Sequence, residues 1–318
     1  MRYYFAPMEG VTGYIFRNAH CRWFGGADKY YMPFLSPSQE HSFTRKGFED
    51  LLPEHNRDIP AVPQLLTKRA EDFLWAANEL RAMGYGEINL NLGCPSGTVT
   101  AKGKGSGFLA YPEELDQFLD QIFSAADVKI SVKTRLGARS EAEFEELLAI
   151  YNKYPISELT IHPRVRTDFY KNSVRMDAFA SALPKSHNPV CYNGDLTTAQ
   201  DCRHLAERFP AVGSLMLGRG LCANPGLLLQ AKGGCGADKD ALRGFHDEIY
   251  SGYIQAFGNR RSAMRRMKEL WFYLLCLFEG SDAYGKKLRK TTEPADYDSA
   301  VNSIFHNLAL LPDAKVNW

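Results

Sequence analysis

The sequence is poor in the features that would place it in a membrane or among disulfide-bonded secreted proteins. Its seven cysteines, at positions 21, 94, 191, 202, 222, 235 and 276, contain no C-x-x-C pair. Their odd number and wide scatter argue against a zinc site, a thioredoxin-like motif and a disulfide framework. They are expected to be mostly buried, reduced thiols. No run approaches the roughly 20 apolar residues of a membrane helix. Met1-Arg2-Tyr3-Tyr4-Phe5-Ala6-Pro7 has no apolar h-region and no cleavage site, so no secretory leader is expected. Neither sign of charge dominates: 38 Lys and Arg stand against 37 Asp and Glu, leaving +1. A nucleic-acid partner would therefore have to meet a local patch, not a global field.

What is present is an alternation of short apolar runs with longer helical patterns. The runs are Tyr3–Pro7, Lys29–Met32, Ala61–Leu66, Glu87–Leu92, Lys129–Thr134, Glu158–His162, Val190–Asn193 and Ser214–Leu217. Each has strand length, and most carry β-branched or aromatic residues. Between them, Ala70–Met83, Glu113–Ala125 behind Pro112, and Glu141–Lys153 behind Ser140 have helical spacing. The segment Ser36–Arg57 is long for a loop and is expected to carry an inserted helix. Eight strand–helix units predict an α/β fold, a (β/α)8 TIM barrel. No G-x-G-x-x-G follows the first strand, which leaves the Rossmann alternative with little support. After Lys232-Gly233-Gly234-Cys235-Gly236-Ala237-Asp238 the strand candidates stop. Ala241–Phe257, Ser262–Phe278 and Tyr297–Leu310 read as helices. We expect a barrel over 1–235 and an all-helical C-terminal domain over 236–318.

In such a barrel the chemistry sits at the C-terminal strand ends. Those ends carry Ala6-Pro7-Met8-Glu9-Gly10, Gln64, Asn89 and Asn91 before Gly93-Cys94-Pro95, Lys133-Thr134-Arg135, His162-Pro163-Arg164, Asn193-Gly194-Asp195 and Gly218-Arg219-Gly220. As a set they suit a polar planar ligand with a charged tail. The last two strand ends occupy the usual phosphate position of a TIM barrel. Their glycines let backbone N–H groups approach an anion, and Arg219 adds a charge-assisted bond. Tight turns that need glycine for geometry are the alternative. Lys133 is open to three readings: a Schiff-base nucleophile, a stabiliser of negative charge, or a structural ion pair with Glu87 or Glu158. Cys94 is held by a Gly-Cys-Pro turn at a strand end, where its thiol should point into the site. The other six cysteines are assigned to packing.

These motifs, in this order and spacing across the barrel to about Leu229, resemble the tRNA-dihydrouridine synthase family. The resemblance implies an FMN enzyme that reduces uridine in tRNA with NADPH, or NADH, as electron donor. It places Pro7, Met8, Glu9, Gln64, Lys133 and His162 against the flavin, and Asn193, Gly194, Asp195, Gly218 and Arg219 around its phosphate. It makes Cys94 the proton donor to C5 of uracil after hydride arrives at C6. The target base would leave its stack to enter the barrel mouth. The tRNA contacts expected are Asn91, Arg135, Arg164, Arg166 and Lys171 near the site, with Arg261, Arg265, Lys268 and Lys286 on the helical domain. Segment 260–290 holds nine basic residues against three acidic ones, +6 locally. A solvated helix face is the commoner meaning of such a run. Trp271, Phe272 and Tyr273 within it are read as core packing. The expectation is a cytoplasmic monomer that meets tRNA, with no membrane and no metal. Lys104 and Pro163 depart from the family pattern. A small-molecule flavin reductase resembling dihydroorotate dehydrogenases, a non-enzymatic tRNA-binding protein and a Schiff-base lyase are the rival readings.

Overall fold

In a computed structural model, which describes residues 1–316, one parallel sheet curls into a barrel. Its strands are β1 (Arg2–Phe5), β2 (Lys29–Tyr31), β3 (Ala61–Val62), β4 (Gln64–Leu65), β5 (Glu87–Leu92), β6 (Lys129–Gly137), β7 (Leu159–Val165), β8 (Val190–Asn193) and β9 (Ser214–Leu217). The order is β3-β2-β1-β9-β8-β7-β6-β5-β4. β3 and β4 are two halves of one strand, divided at Pro63, which has no N–H to give a ladder. The Pro63 carbonyl still accepts from Asn89 N at 2.9 Å. Since β3 pairs with β2 and β4 with β5, the ring of eight strand positions closes through that proline. All eight expected strands are present.

Helices cover the outside of the barrel: α1 (Tyr14–Trp23), α2 (Arg45–Leu51), α3 (Pro53–Asn56), α4 (Ala70–Ala82), α5 (Gly97–Thr100), α6 (Pro112–Ala125), α7 (Glu143–Tyr151), α8 (Met176–Ala182), α9 (Ala199–Arg208), α10 (Arg219–Ala223) and α11 (Leu227–Ala231). α6 shows why such segments are helical. Pro112 occupies its first turn, and Leu115, Phe118, Leu119 and Ile122 bury one stripe. The insertion after β2 holds two short helices, α2 and α3, instead of one. α7 starts two residues later than expected. Ser140 does not cap it, because the Glu143 carboxylate takes the N–H groups of Ala138 (2.6 Å), Arg139 (3.0 Å) and Ser140 (2.9 Å) and curls the chain first.

The C-terminal region is helical: α12 (Lys239–Phe257), α13 (Arg260–Leu274), α14 (Asp282–Lys290) and α15 (Pro294–Asn307). Asp238 caps α12 through Ala241 N, Gly258 ends it in the left-handed region, and Asn259 caps α13 through Ser262 N. Gly258 and Asn259 thus join α12 and α13 in a tight helical hairpin. α14 was not anticipated: it is dominated by charge and buries only Gly285 and Leu288. Trp271 is buried and donates to Tyr297 Oη at 3.0 Å. Phe272, read as core, is instead 58% exposed, because α13 buries its Met267, Leu270, Trp271 and Leu274 stripe and turns residue 272 outward. Residues 317–318 of the expected helical domain lie outside the described residues. Among the described residues, no helix is long and apolar enough to cross a membrane, and no three His, Cys, Asp or Glu side chains gather as a metal set.

Candidate active site

The strand ends converge on a single cleft at the mouth of the barrel. The barrel brings together Pro7, Met8, Glu9, Gln64, Asn91, Cys94, Lys133, Arg135, His162, Asn193, Gly194, Asp195, Gly218 and Arg219 as its lining. Arg164, Arg166, Lys171, Arg261, Arg265, Lys268 and Lys286 do not line it.

Cys94 sits on a turn that the surrounding residues over-determine. Asn91 Oδ1 accepts from Gly93 N (3.0 Å) and Cys94 N (2.9 Å). Arg135 Nε donates to Gly93 O at 2.9 Å, and Ser106 Oγ donates to Cys94 O at 2.8 Å. Gly105, at φ +56°, lies so close that a Cβ there would come within 2.8 Å of Cys94 O. Burial pushes the thiol pKa up, against the lowering influence of the Ser96 backbone N–H and of the Arg135 and Lys133 charges. The sulfur is thus held as a thiol near neutral pH. Of the other six cysteines, Cys191, Cys202 and Cys222 are buried, Cys21 and Cys276 half-buried, and Cys235 is exposed in the glycine-rich linker.

Lys133 faces the same space. It keeps some surface inside the cleft yet is enclosed by protein. Burial, aided by Arg135, pushes its pKa down to about 8. The ion-pair reading is removed by the structure. Glu87 pairs with Lys29 at 2.6 Å, and Glu158 with Arg2 at 3.0 Å, both on the far end of the barrel axis. His162 is held neutral by burial, reinforced by the charges of Arg135, Lys133 and Arg164. Arg164 Nη1 can only donate to His162 Nε2 (2.9 Å), so the imidazole proton resides on Nδ1.

The phosphate-side turns form a charged knot. Asp195, at φ +40°, accepts two bonds from Arg164 (2.9 and 2.5 Å) and one from Arg219 (3.2 Å). Two guanidiniums on one carboxylate leave a net positive charge. A Cβ at Gly218 would lie 3.2 Å from Met8 Sδ, and one at Gly194 only 2.9 Å from Val174 Cγ1. Glycine therefore keeps this end of the cleft open to backbone approach. An uncompensated lysine, glycine-lined turns and excess positive charge fit a planar group with an anionic tail, as FMN has.

The sequence reading missed Tyr170 and the Pro33–Phe34 pair, which also line the cleft. The guanidiniums of Arg135 and Arg219 lie 5.2 and 5.1 Å from the centre of the Tyr170 ring. Buried Asp168 anchors its loop through Val165 N (2.9 Å) and Arg175 (2.6 Å). The available signal was an aromatic pair inside the charged stretch Arg166–Arg175 after a strand end. Pro33–Phe34 simply follow β2, the strand end left out of the count.

A family model described as dihydrouridine synthase matches residues 4–308. The chain belongs to that family. It is 28% identical over 227 residues to tRNA-dihydrouridine synthase B of Pasteurella multocida (strain Pm70), covering 71% of this chain and 67% of that protein. It is 30% identical over 230 residues to "Probable tRNA-dihydrouridine synthase 2" of Bacillus subtilis (strain 168), covering 69% of each. Histamine dehydrogenase from Rhizobium sp. 4-9 superposes with TM-score 0.56 at 13% identity, over 78% of this chain and 49% of that one. Morphinone reductase in complex with tetrahydroNAD superposes with TM-score 0.51 at 12% identity, over 77% and 90%. At such identities the two structures speak for the barrel fold alone.

Proposed function

We propose that this chain reduces the C5–C6 double bond of uridine in tRNA, with FMN in the cleft, NADPH or NADH as electron donor and the Cys94 thiol as proton donor. Flavin-dependent reduction of tRNA uridine follows from the family; the proposal assigns its parts. The observation that carries it is the Cys94 turn, held at the mouth of a cleft that Lys133, Arg135 and Arg219 also line. FMN, when bound, supplies hydride to C6 of the base. Pro7, Met8, Glu9, Gln64 and His162 would hold the ring, and Asn193, Gly194, Asp195, Gly218 and Arg219 the phosphate side. Lys133 would balance negative charge that builds on the reduced ring. Asn91 and Arg135 would meet the flipped base, while Cys94 delivers its proton to C5 and regains one from solvent. The setting is a cytoplasmic monomer. The test is purified protein, tRNA and NADPH: yellow protein and new dihydrouridine are expected. An unchanged dihydrouridine map in tRNA from cells lacking the gene overturns the tRNA assignment.

Residues 1–235 would form the catalytic unit and 236–318 the RNA-binding one, with Arg164, Arg166 and Lys171 as further contacts near the mouth. Arg164 already supports His162 and Asp195, so its effect would be indirect. On the helical region, Arg265 and Lys286 are exposed and have no ion-pair partner among the described residues. Arg261 is paired with Glu293 at 2.5 Å. Lys268 donates to the carbonyls of Arg289 and Thr291 at the end of α14. Arg265→Ala and Lys286→Ala should each reduce the slope of log affinity for tRNA against log salt by about 1. Lys268→Ala should mainly lower the thermal stability. Filter binding across a salt series reads the slopes, and a thermal melt reads the stability of Lys268→Ala.

A further inference from the structure

Beneath Cys94 a file of buried amides runs across three strands. Its direction is dictated from one end. Because Gly93 N and Cys94 N must donate, the atom of Asn91 that faces them is Oδ1. Asn91 Nδ2 therefore donates to Gln64 Oε1, at 2.7 Å. That leaves Gln64 Nε2 to donate to Asn89 Oδ1, also at 2.7 Å. Asn89 Nδ2 in turn donates to Ser131 Oγ at 3.0 Å. Gln64, Asn89 and Ser131 are fully buried, and strand register sets Gln64 beside Asn89 and Asn89 beside Ser131. Turning any one amide over would set donor against donor, or acceptor against acceptor, at its contact with the next amide or with the backbone N–H groups, while the Ser131 hydroxyl can serve either way. A buried polar network of this kind has a single arrangement when every member is satisfied.

We infer that Asn89 and Ser131, which do not line the cleft, are positioning residues that hold the Gln64 and Asn91 side chains in place and, through Asn91, the backbone of Cys94. The file also decides what a ligand meets. Gln64 and Asn91 each retain one unused amide N–H, and both line the cleft. This wall therefore offers donors, and suits the carbonyl oxygens of a flavin or a uracil. Asn89→Ala removes the acceptor of Gln64 Nε2. Gln64 is then free to rotate, and the Asx turn under Cys94 loses its outer support.

The inference rests on Cys94 as the proton donor, but its test reads the thiol directly. In flavin-free protein without tRNA, alkylation of Cys94 by iodoacetamide, followed by peptide mass analysis, should run at least about threefold faster in Asn89→Ala, as the turn loosens and the thiol is less buried. Asn89→Asp should restore the native rate, since its carboxylate still accepts from Gln64 and the Ser131 hydroxyl can rotate to donate. Ser131→Ala should move the rate in the same direction by a smaller factor, and it serves if Asn89→Ala does not fold. In the tRNA assay, kcat should fall about 10- to 100-fold in Asn89→Ala with KM for tRNA unchanged. A folded Asn89→Ala protein whose Cys94 alkylates at the native rate overturns the inference, whatever the fate of the tRNA reading. If the wild-type protein forms no dihydrouridine, the functional reading fails and the alkylation result still stands.

Discussion

Replacing Cys94 by alanine is expected to cut dihydrouridine formation by about 10²- to 10⁴-fold, the usual contribution of a positioned general acid. FMN should stay bound, because the turn that carries residue 94 is fixed by backbone bonds from Asn91, Arg135 and Ser106 and does not depend on the sulfur. Reduction of the bound flavin by NADPH should be unchanged, since no proton from Cys94 enters that half-reaction. The two measurements together separate a proton donor from a structural cysteine, which would lose both or neither. The pH dependence has a definite sign. A donor acts in its protonated form, and burial raises the Cys94 pKa. With FMN kept saturating, the rate should therefore be flat through neutrality and fall only above the ordinary thiol range. The more familiar activated cysteine, with a lowered pKa, would show a rate rising with pH over the same interval. Full activity in Cys94→Ala, or a rate that rises with pH in the wild-type protein, sinks the assignment.

Much of this site was legible in the sequence because a barrel converts strand ends into a surface. Once eight strands are found, position along the chain gives position around the mouth, and Cys94, Lys133, His162 and Gly218–Arg219 fall into place without any contact being known. What was not legible depends on geometry across strands. Whether Lys133 pairs with a carboxylate could not be read from spacing. It required the finding that Glu87 and Glu158 are taken by Lys29 and Arg2 at the opposite end of the axis. Asn89 was visible as a polar strand residue, but its acceptor role needed the registers with Gln64 and Ser131. Tyr170 lies in a loop whose course is set by buried Asp168, and no periodicity reports that. In the helical region the charge run was easy to see. Which of its members are already engaged, as Arg261 and Lys268 are, is a matter of tertiary contact.

Lys133→Met is expected to slow flavin reduction by about 10²- to 10³-fold, the cost of removing one preorganised charge from the place where charge develops. It should also make the flavin-free protein more stable at neutral pH. The second outcome follows from the sign of the pKa shift. Burial and Arg135 bring the folded-state value down to about 8 from an ordinary value near 10.5. Between those values the unfolded chain holds a proton that the folded protein lacks, so stability rises with pH across that window. Below about pH 8 the folded protein carries an ammonium in an enclosed, cation-rich place without a carboxylate partner, and that strain is absent in the methionine variant. A bound anion reverses the balance, because opposite charge favours the protonated lysine. FMN affinity in the wild-type protein should accordingly weaken as pH rises through about 8, and that step should vanish in Lys133→Met. A lysine kept only for structure predicts the opposite pair of results: a lower melting temperature in the variant, and native rates of flavin bleaching in a stopped-flow trace. Greater stability combined with lost flavin reduction is the signature of a residue held in an unfavourable place for the sake of its ligand.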